Sequence, residues 1–221
     1  MWFHIVAHNI SELNGDSILK SQDISKLKKL TEILVIDDNA FSYLNALKKY
    51  EFIIHQKEDL ANLNDAEAYE IILCDIRGVG KFLESKYDGA NLIKELKNKY
   101  PTKTIIAYTA NDYDASFQEF LRYADRIVPK GTYSLEDWVA LLEQIIRENA
   151  DPIKKWEKTR KQLLDAGVPT VDVAKYESEY VKAIKNGDFD SFKHLCEHKN
   201  TKGTHILTEL LSSTIAKIVR P

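Results

Sequence analysis

Short apolar runs alternate with longer polar stretches through the middle of the chain. The runs are apolar at nearly every position, which is typical of strands buried on both faces of a sheet. Strands are therefore predicted over residues 33–36, 52–54, 71–74, 104–108 and 126–128. Between and after them, apolar residues recur at helical spacing and predict helices over 40–50, 59–68, 90–99, 115–123 and 135–147. This alternation predicts an α/β fold with a doubly wound, five-stranded parallel sheet.

The last third of the chain has a different pattern. A polar stretch ending in Asp151-Pro152 marks a boundary, and only helical periodicity follows it, over residues 154–166, 171–185, 190–197 and 204–219. The predicted organisation is an N-terminal extension (1–31), an α/β domain (32–148) and a small all-helical C-terminal module (149–221). The extension is expected to contain a strand at 2–7 and a helix at 24–30.

Composition and charge exclude several classes of protein. Hydrophobic residues make up 44% of the chain and charged residues 29%, which is ordinary for a globular protein. The net charge of −3 combines an acidic first part with a weakly basic tail, and the tail lacks the clustered basic face of a nucleic-acid binder. No apolar stretch approaches the length of a membrane span. Two cysteines, Cys74 and Cys196, have no metal or disulfide spacing, so a cytoplasmic protein is expected.

Polar residues stand where the predicted strands end. Asp37 and Asp38 follow the first strand, Asp75 follows the third, Thr109 follows the fourth and Lys130 follows the fifth. Ligands of parallel sheets bind at the carboxyl ends of the strands, so these side chains are expected to meet. Carboxylates at short range repel unless a cation joins them, and hard oxygen ligands suit Mg²⁺. Thr109 and Lys130 add a hydroxyl and a positive charge, both suited to phosphoryl oxygens.

Together these residues resemble the receiver domain of bacterial two-component response regulators, of the chemotaxis-regulator-like type. That family has an acidic pair after strand one, an acceptor aspartate after strand three, Thr or Ser followed by Ala after strand four, and Lys after strand five. The matching segments cover residues 32–148 and read Ile36-Asp37-Asp38-Asn39, Leu73-Cys74-Asp75-Ile76, Tyr108-Thr109-Ala110 and Val128-Pro129-Lys130.

The resemblance implies a flavodoxin-like fold and an aspartyl-phosphate switch in a phosphorelay. Asp75 is then the phosphoacceptor, and Mg²⁺ is held by Asp37, Asp38, Asp75 and the backbone carbonyl of Arg77. Thr109 and Lys130 are expected to contact the phosphoryl oxygens. The donor is a histidine kinase or phosphotransfer protein, and the chain is a switch that supports its own phosphorylation and dephosphorylation rather than an enzyme.

Several features depart from the family pattern. The loop over residues 76–89 is longer than usual and lacks its Met-Pro, which indicates either a surface insertion or a gate beside the site. Proline precedes Lys130 here, whereas in the family it follows the lysine. Ile127 stands where many regulators have an aromatic switch residue, so a rotating aromatic side chain there is not expected.

The output of the chain is the least constrained prediction. The tail has two arginines, Arg160 and Arg220, and its lysines alternate with acids, so nucleic-acid binding is not expected. The helical module is predicted to bind an output protein that the sequence does not identify, or to form a homodimer. Tyr176 and Tyr180 are predicted to pack in its core, with a binding face as the alternative. A phosphorylation-independent binding module on a receiver scaffold remains an alternative function, followed by a DNA-binding transcriptional regulator.

Overall fold

The computed structural model describes residues 8–13, 23–109, 117–197 and 203–213. These residues form two compact units. The first, called the sheet unit, is Ile24–Ile146, and the second, called the helical unit, contains the described residues of Met1–Asp23 and Arg147–Pro221. The predicted extension over 1–31 is therefore divided: residues 8–13 belong to the helical unit and residues 24–31 to the sheet unit.

The sheet unit contains five parallel strands in the order β2-β1-β3-β4-β5. The strands are β1 (Glu32–Ile36), β2 (Ile53–Lys57), β3 (Ile71–Asp75), β4 (Thr104–Thr109) and β5 (Arg126–Pro129). The side chains of Ile33–Ile36 and of Ile71–Cys74 are fully buried, as continuous apolar strands with helices on both faces require. The prediction of a doubly wound, five-stranded parallel sheet is confirmed.

Helices of the sheet unit follow the predicted order but differ in length. They are α1 (Ile24–Leu30), α2 (Leu44–Lys49), α3 (Asp88–Lys99), α4 (Gln118–Leu121) and α5 (Leu135–Ala150), which continues to the first residues of the helical unit. The start of α2 was predicted too early, because the Phe41 amide donates to the side chain of Gln56 (3.0 Å) before the helix begins. The predicted helix over 115–123 is reduced to α4, and residues 110–116 lie outside the described ranges.

The predicted helix over 59–68 is wrong. A single 3₁₀ turn, Leu63–Ala66, stands there, with Asn62 and Asp65 as a reciprocal capping pair at its start. Asn and Asp side chains hydrogen-bond nearby backbone amides and so favour caps and turns over helix interiors. The carboxylate of Asp65 also accepts the Ala61 amide at 2.9 Å, which holds the chain in this turn.

The helical unit is built from four described helices around an aromatic core. They are α6 (Pro152–Asp165), α7 (Thr170–Asn186), α8 (Asp190–Glu197) and α9 (Thr204–Ser212). Trp156 stacks on Tyr180 with ring centroids 5.0 Å apart, and Tyr176 and Tyr180 are fully buried. The core-packing prediction for these tyrosines is therefore confirmed, and the alternative of a binding face is wrong. The predicted helix over 204–219 ends at Ser212, and residues 214–221 lie outside the described ranges.

Residues 8–13 pack on α7 within the helical unit. The Ile10 amide donates to Glu177 at 3.0 Å, and the other carboxylate oxygen of Glu177 accepts the indole N–H of Trp156 at 2.8 Å. Leu13 enters the same apolar core. Hydrogen bonds from Lys185 and His8 lower the pKa of Glu12 to about 2. The strand predicted at 2–7 lies outside the described residues, whereas the helix predicted at 24–30 is α1.

Membrane insertion was not expected from the sequence. Across the described ranges, no helix is both long enough and apolar enough to cross a bilayer.

Candidate functional site

The strand order brings the predicted site residues to one edge of the sheet. β1 and β3 are neighbours, and Ile36 pairs with Cys74, so the residues that follow, Asp37 and Asp75, stand side by side. Thr109 ends β4 on the other side of β3, and Lys130 directly follows β5. The carboxyl edge of a parallel sheet is where ligands of this architecture bind. The structure thus gathers Asp37, Asp75 and Lys130 from three different strands.

Three carboxylates form an acidic cluster at this edge. Asp37, Asp38 and Asp75 each offer one oxygen, and these oxygens lie within 4.8 Å of one another. Asp37 and Asp75 are buried, whereas Asp38 is exposed. Like charges at this range repel strongly in a partly desolvated site. Positive charge beside these carboxylates would relieve the repulsion, and the cluster is a candidate site for a divalent metal ion.

Lys130 compensates part of this charge. Its Nζ lies 2.7 Å from Oδ2 of Asp37 and 2.6 Å from Oδ2 of Asp75. The backbone amide of Lys130 donates to the Thr109 carbonyl at 2.6 Å, which fixes the start of the side chain at the end of β5. Gly131 follows with φ of +77°, a conformation that glycine adopts without strain. The turn therefore directs the ammonium group between two carboxylates.

Burial and charge act in opposite directions on the pKa of both partners. Burial raises the pKa of Asp75, and the hydrogen bond and charge of Lys130 offset only part of this effect. Burial alone would lower the pKa of Lys130, but hydrogen bonds to Asp37 and Asp75 outweigh it and the pKa is raised. Lys130 is consequently a fixed positive charge at neutral pH, and it lies beside the partly desolvated carboxylate of Asp75.

The two oxygens of Asp75 have different surroundings. Oδ2 contacts Lys130, whereas Oδ1 accepts the Ile76 amide at 2.7 Å and the Arg77 amide at 3.4 Å. Arg77 is the residue whose carbonyl was predicted to bind metal, and its guanidinium group lies 5.3 Å from the centroid of the Phe117 ring. Thr109 is buried at the end of β4. The Ala110 that completes the family pattern lies outside the described residues.

Two glycines that the sequence did not single out line the site. A Cβ on Gly78 would stand 2.3 Å from Oδ2 of Asp38, and the φ of Gly78 is +73°. A Cβ on Gly89, in the first turn of α3, would stand 1.9 Å from the Asp75 carbonyl oxygen. Backbone therefore approaches the acidic cluster more closely than any side chain would permit. No sequence signal identified these contacts, because each joins residues from different segments.

Replacing Gly78 with alanine is expected to weaken metal binding. The new methyl group would overlap the Asp38 carboxylate, and alanine would also be strained at φ of +73°. We expect the Kd for Mg²⁺ to rise about tenfold, as when the support of a metal ligand is lost. Magnesium titration followed by NMR measures this change, with Gly167→Ala as the matched control, since that glycine of the helical unit has nearly the same backbone conformation (φ of +77°) but open space around it. An equal rise in both variants would contradict the role of the contact with Asp38.

An aromatic cluster adjoins Lys130. The Nζ of Lys130 lies 5.0 Å from the centroid of the Tyr108 ring, and that ring packs edge-on against Phe41 and Trp138. Trp138 is buried in α5. Ile127, the residue at the family's usual switch position, is 45% exposed on β5. The aromatic contacts of the lysine are therefore made from β4, a placement that the sequence pattern did not predict.

The sheet unit has the strand order of a known α/β fold. The strand order 2-1-3-4-5 is that of flavodoxin and of the chemotaxis response regulators, and the acidic cluster lies beside its switch point between β1 and β3. The sheet unit has a receiver fold.

No family model and no curated protein matches the chain. Solved structures with a similar fold include the beryllofluoride-activated DrrB receiver domain, with 20% identity over 52% of this chain and 97% of its own, at a TM-score of 0.43. A response regulator from Thermotoga maritima has 17% identity over 52% of this chain and 97% of its own, at a TM-score of 0.42. A response regulator protein from Burkholderia pseudomallei has 20% identity over 66% of this chain and 91% of its own, at a TM-score of 0.41. That structure contains a phosphorylated aspartic acid, a calcium ion and citrate.

Proposed function

We propose that the chain is a response regulator of a phosphorelay in which Asp75 accepts a phosphoryl group. The arrangement of Lys130 between Asp37 and Asp75 is the observation that supports this function most directly. It places a nucleophilic carboxylate, a fixed positive charge and a second carboxylate at the ligand-binding edge of a receiver fold. The donor would be the phosphohistidine of a histidine kinase or of a phosphotransfer protein.

The residues of the acidic cluster fit a magnesium ion. Asp37, Asp38 and Asp75 supply hard oxygen ligands within 4.8 Å of one another, and we propose the Arg77 carbonyl as a fourth ligand. Such a set leaves positions for water and for phosphoryl oxygens, as Mg²⁺ prefers. When bound, Mg²⁺ would neutralise negative charge on the group in transfer.

Side chains of the sheet unit would perform the remaining chemistry. A carboxylate oxygen of Asp75 forms the bond to phosphorus as the bond from phosphorus to the donor nitrogen breaks. Lys130 then pairs with a phosphoryl oxygen, and the Thr109 hydroxyl donates to another. These new contacts would change the distance from Lys130 to Asp37 and to the Tyr108 ring, which would give the sheet unit two states. The chain would thus be a switch that supports its own modification and its reversal, not an enzyme acting on other substrates.

Magnesium-dependent modification by a small phosphodonor tests the proposal. We expect wild-type protein incubated with acetyl phosphate and Mg²⁺ to gain the mass of one phosphoryl group, and the gain to disappear when a chelator removes the metal. Intact-protein mass spectrometry at short times measures this. Unchanged mass with Mg²⁺ present, together with unchanged NMR spectra after addition of beryllofluoride, would overturn the proposed function.

The helical unit is proposed as the output module, acting by binding another protein or a second copy of this chain. Light scattering with and without beryllofluoride would distinguish a phosphorylation-dependent dimer from a constant state. One observation favours a second candidate, a phosphorylation-independent binding module: Lys130 pairs with both buried carboxylates and so gives them a positive charge from the protein itself. Beryllofluoride that leaves the oligomeric state and partner binding unchanged would support that second candidate.

A further inference from the structure

The carboxylate of Asp59 holds the loop between β3 and α3. Asp59 lies just beyond the end of β2, and its Oδ1 accepts the amide of Gly80 at 2.6 Å while its Oδ2 accepts the amide of Lys81 at 3.1 Å. Oδ1 also accepts the adjacent Leu60 amide at 2.8 Å, which orients the carboxylate. Both oxygens are thus occupied by backbone donors from the loop or from its own turn.

The segment held in this way is the one that touches the acidic cluster. Only four residues separate Asp75, whose Oδ1 binds the first amides of the loop, from Gly80. Between these two anchors, Gly78 packs on the Asp38 carboxylate and Val79 is fully buried. A short segment fixed at both ends has little freedom, so the contact at Gly80 helps to fix where Gly78 stands, together with the hydrogen bond that the Gly78 amide donates to Asp88 at 3.4 Å.

Asp59 is not itself a member of the acidic cluster. That cluster contains Asp37, Asp38 and Asp75, whereas the oxygens of Asp59 point to backbone amides. We propose that Asp59 is a positioning residue: through the loop, it fixes the Gly78 backbone against Asp38 and aims the Arg77 carbonyl at the metal position. This inference rests on the proposed function, and it assigns to the long loop a defined task in metal binding.

Magnesium affinity measured by NMR on the full chain tests this role. The Kd follows from the shift of the Gly78 amide during titration with Mg²⁺ alone. We expect Asp59→Ala to raise the Kd about tenfold, because partners that orient metal ligands are commonly worth 10–100-fold in affinity. The extent of phosphorylation at saturating Mg²⁺ should stay within about twofold of wild type, since Asp75 and Lys130 keep their contacts. A general loss of stability would lower both magnesium affinity and phosphorylation, so a change in the Kd alone indicates a positioning role.

A matched control is provided by Asp65. Its carboxylate accepts the amides of Ala61 and Asn62 in the adjoining turn, and it is not bonded to the loop. Asp65→Ala is expected to leave the Kd for Mg²⁺ within about twofold of wild type. Asp59→Asn, which keeps one acceptor oxygen and the shape of the side chain, should give a Kd between those of wild type and Asp59→Ala and serves if the alanine variant does not fold.

Hydrogen exchange of the metal-free protein gives a second readout. The Gly80 and Lys81 amides are expected to exchange faster in Asp59→Ala than in wild type, with no change in Asp65→Ala. Magnesium binding by wild type with an unchanged Kd in the Asp59 variants would overturn the positioning role alone. Wild-type protein that binds no Mg²⁺ and accepts no phosphoryl group would overturn the proposed function and this inference with it.

Discussion

Asparagine in place of Asp75 is expected to abolish phosphoryl transfer to the chain. The amide nitrogen is not a nucleophile, and a neutral side chain contributes less to the charge that attracts a divalent cation. The fold should persist, because the asparagine oxygen can still accept the Ile76 amide and Lys130 retains its pair with Asp37 at 2.7 Å. Incubation with acetyl phosphate and Mg²⁺, followed by intact-protein mass spectrometry, should give the mass of the unmodified variant.

Substitution of Asp125 is the control for this result, because this carboxylate also pairs with a lysine but lies outside the site. Asp125 pairs with Lys97 at 2.7 Å and accepts the Ile105 amide at 2.8 Å. Asp125→Asn is expected to accept the phosphoryl group as wild type does. Modification of Asp75→Asn at the wild-type level would show that another residue is the acceptor, and peptide mapping of the modified protein would then locate it.

Replacing Lys130 with methionine is expected to have the largest effect on stability. The ammonium group is 2.6–2.7 Å from two carboxylates whose side chains are only 3% and 10% exposed. Methionine fills a similar volume but leaves both charges without their cation. Loss of one partner from a buried ion pair costs about 3–5 kcal/mol. Because the lysine side chain itself is 24% exposed, we expect the lower part of that range, about 3 kcal/mol, in magnesium-free buffer.

Urea unfolding of the variant with and without Mg²⁺ measures this effect. A metal ion at the acidic cluster would replace part of the missing positive charge, so the loss should become smaller as the magnesium concentration rises. Lys29→Met is the control, since Lys29 pairs with Glu51 at 3.9 Å on the surface and both side chains are more than half exposed. Pairs of that kind contribute about 0–1 kcal/mol. Equal losses in the two variants would contradict the bridging role of Lys130.

Long-range contacts explain what the sequence pattern missed. The turn at Leu63–Ala66, predicted as part of a helix over 59–68, has a local cause instead: the side chains of Asn62 and Asp65 form caps there and favour a turn. Gly78 and Gly89 had no recognisable pattern, since the atoms that require glycine belong to Asp38 and Asp75 in other segments. Asp59 likewise has no signal in sequence, because its partners are the amides of residues about twenty positions later.

The sequence by itself determined the class of fold and the carboxyl edge of the sheet as the position of the site. Continuous apolar strands require burial on both faces, and the polar residue that ends each strand must lie at that edge, so Asp37, Asp75 and Lys130 could be brought together by pattern alone. Only the tertiary structure decided how the loop over residues 76–89 crosses the site and that Asp59 holds it. Backbone amides carry no side-chain signature, and the partner of an amide is fixed by the packing of distant segments.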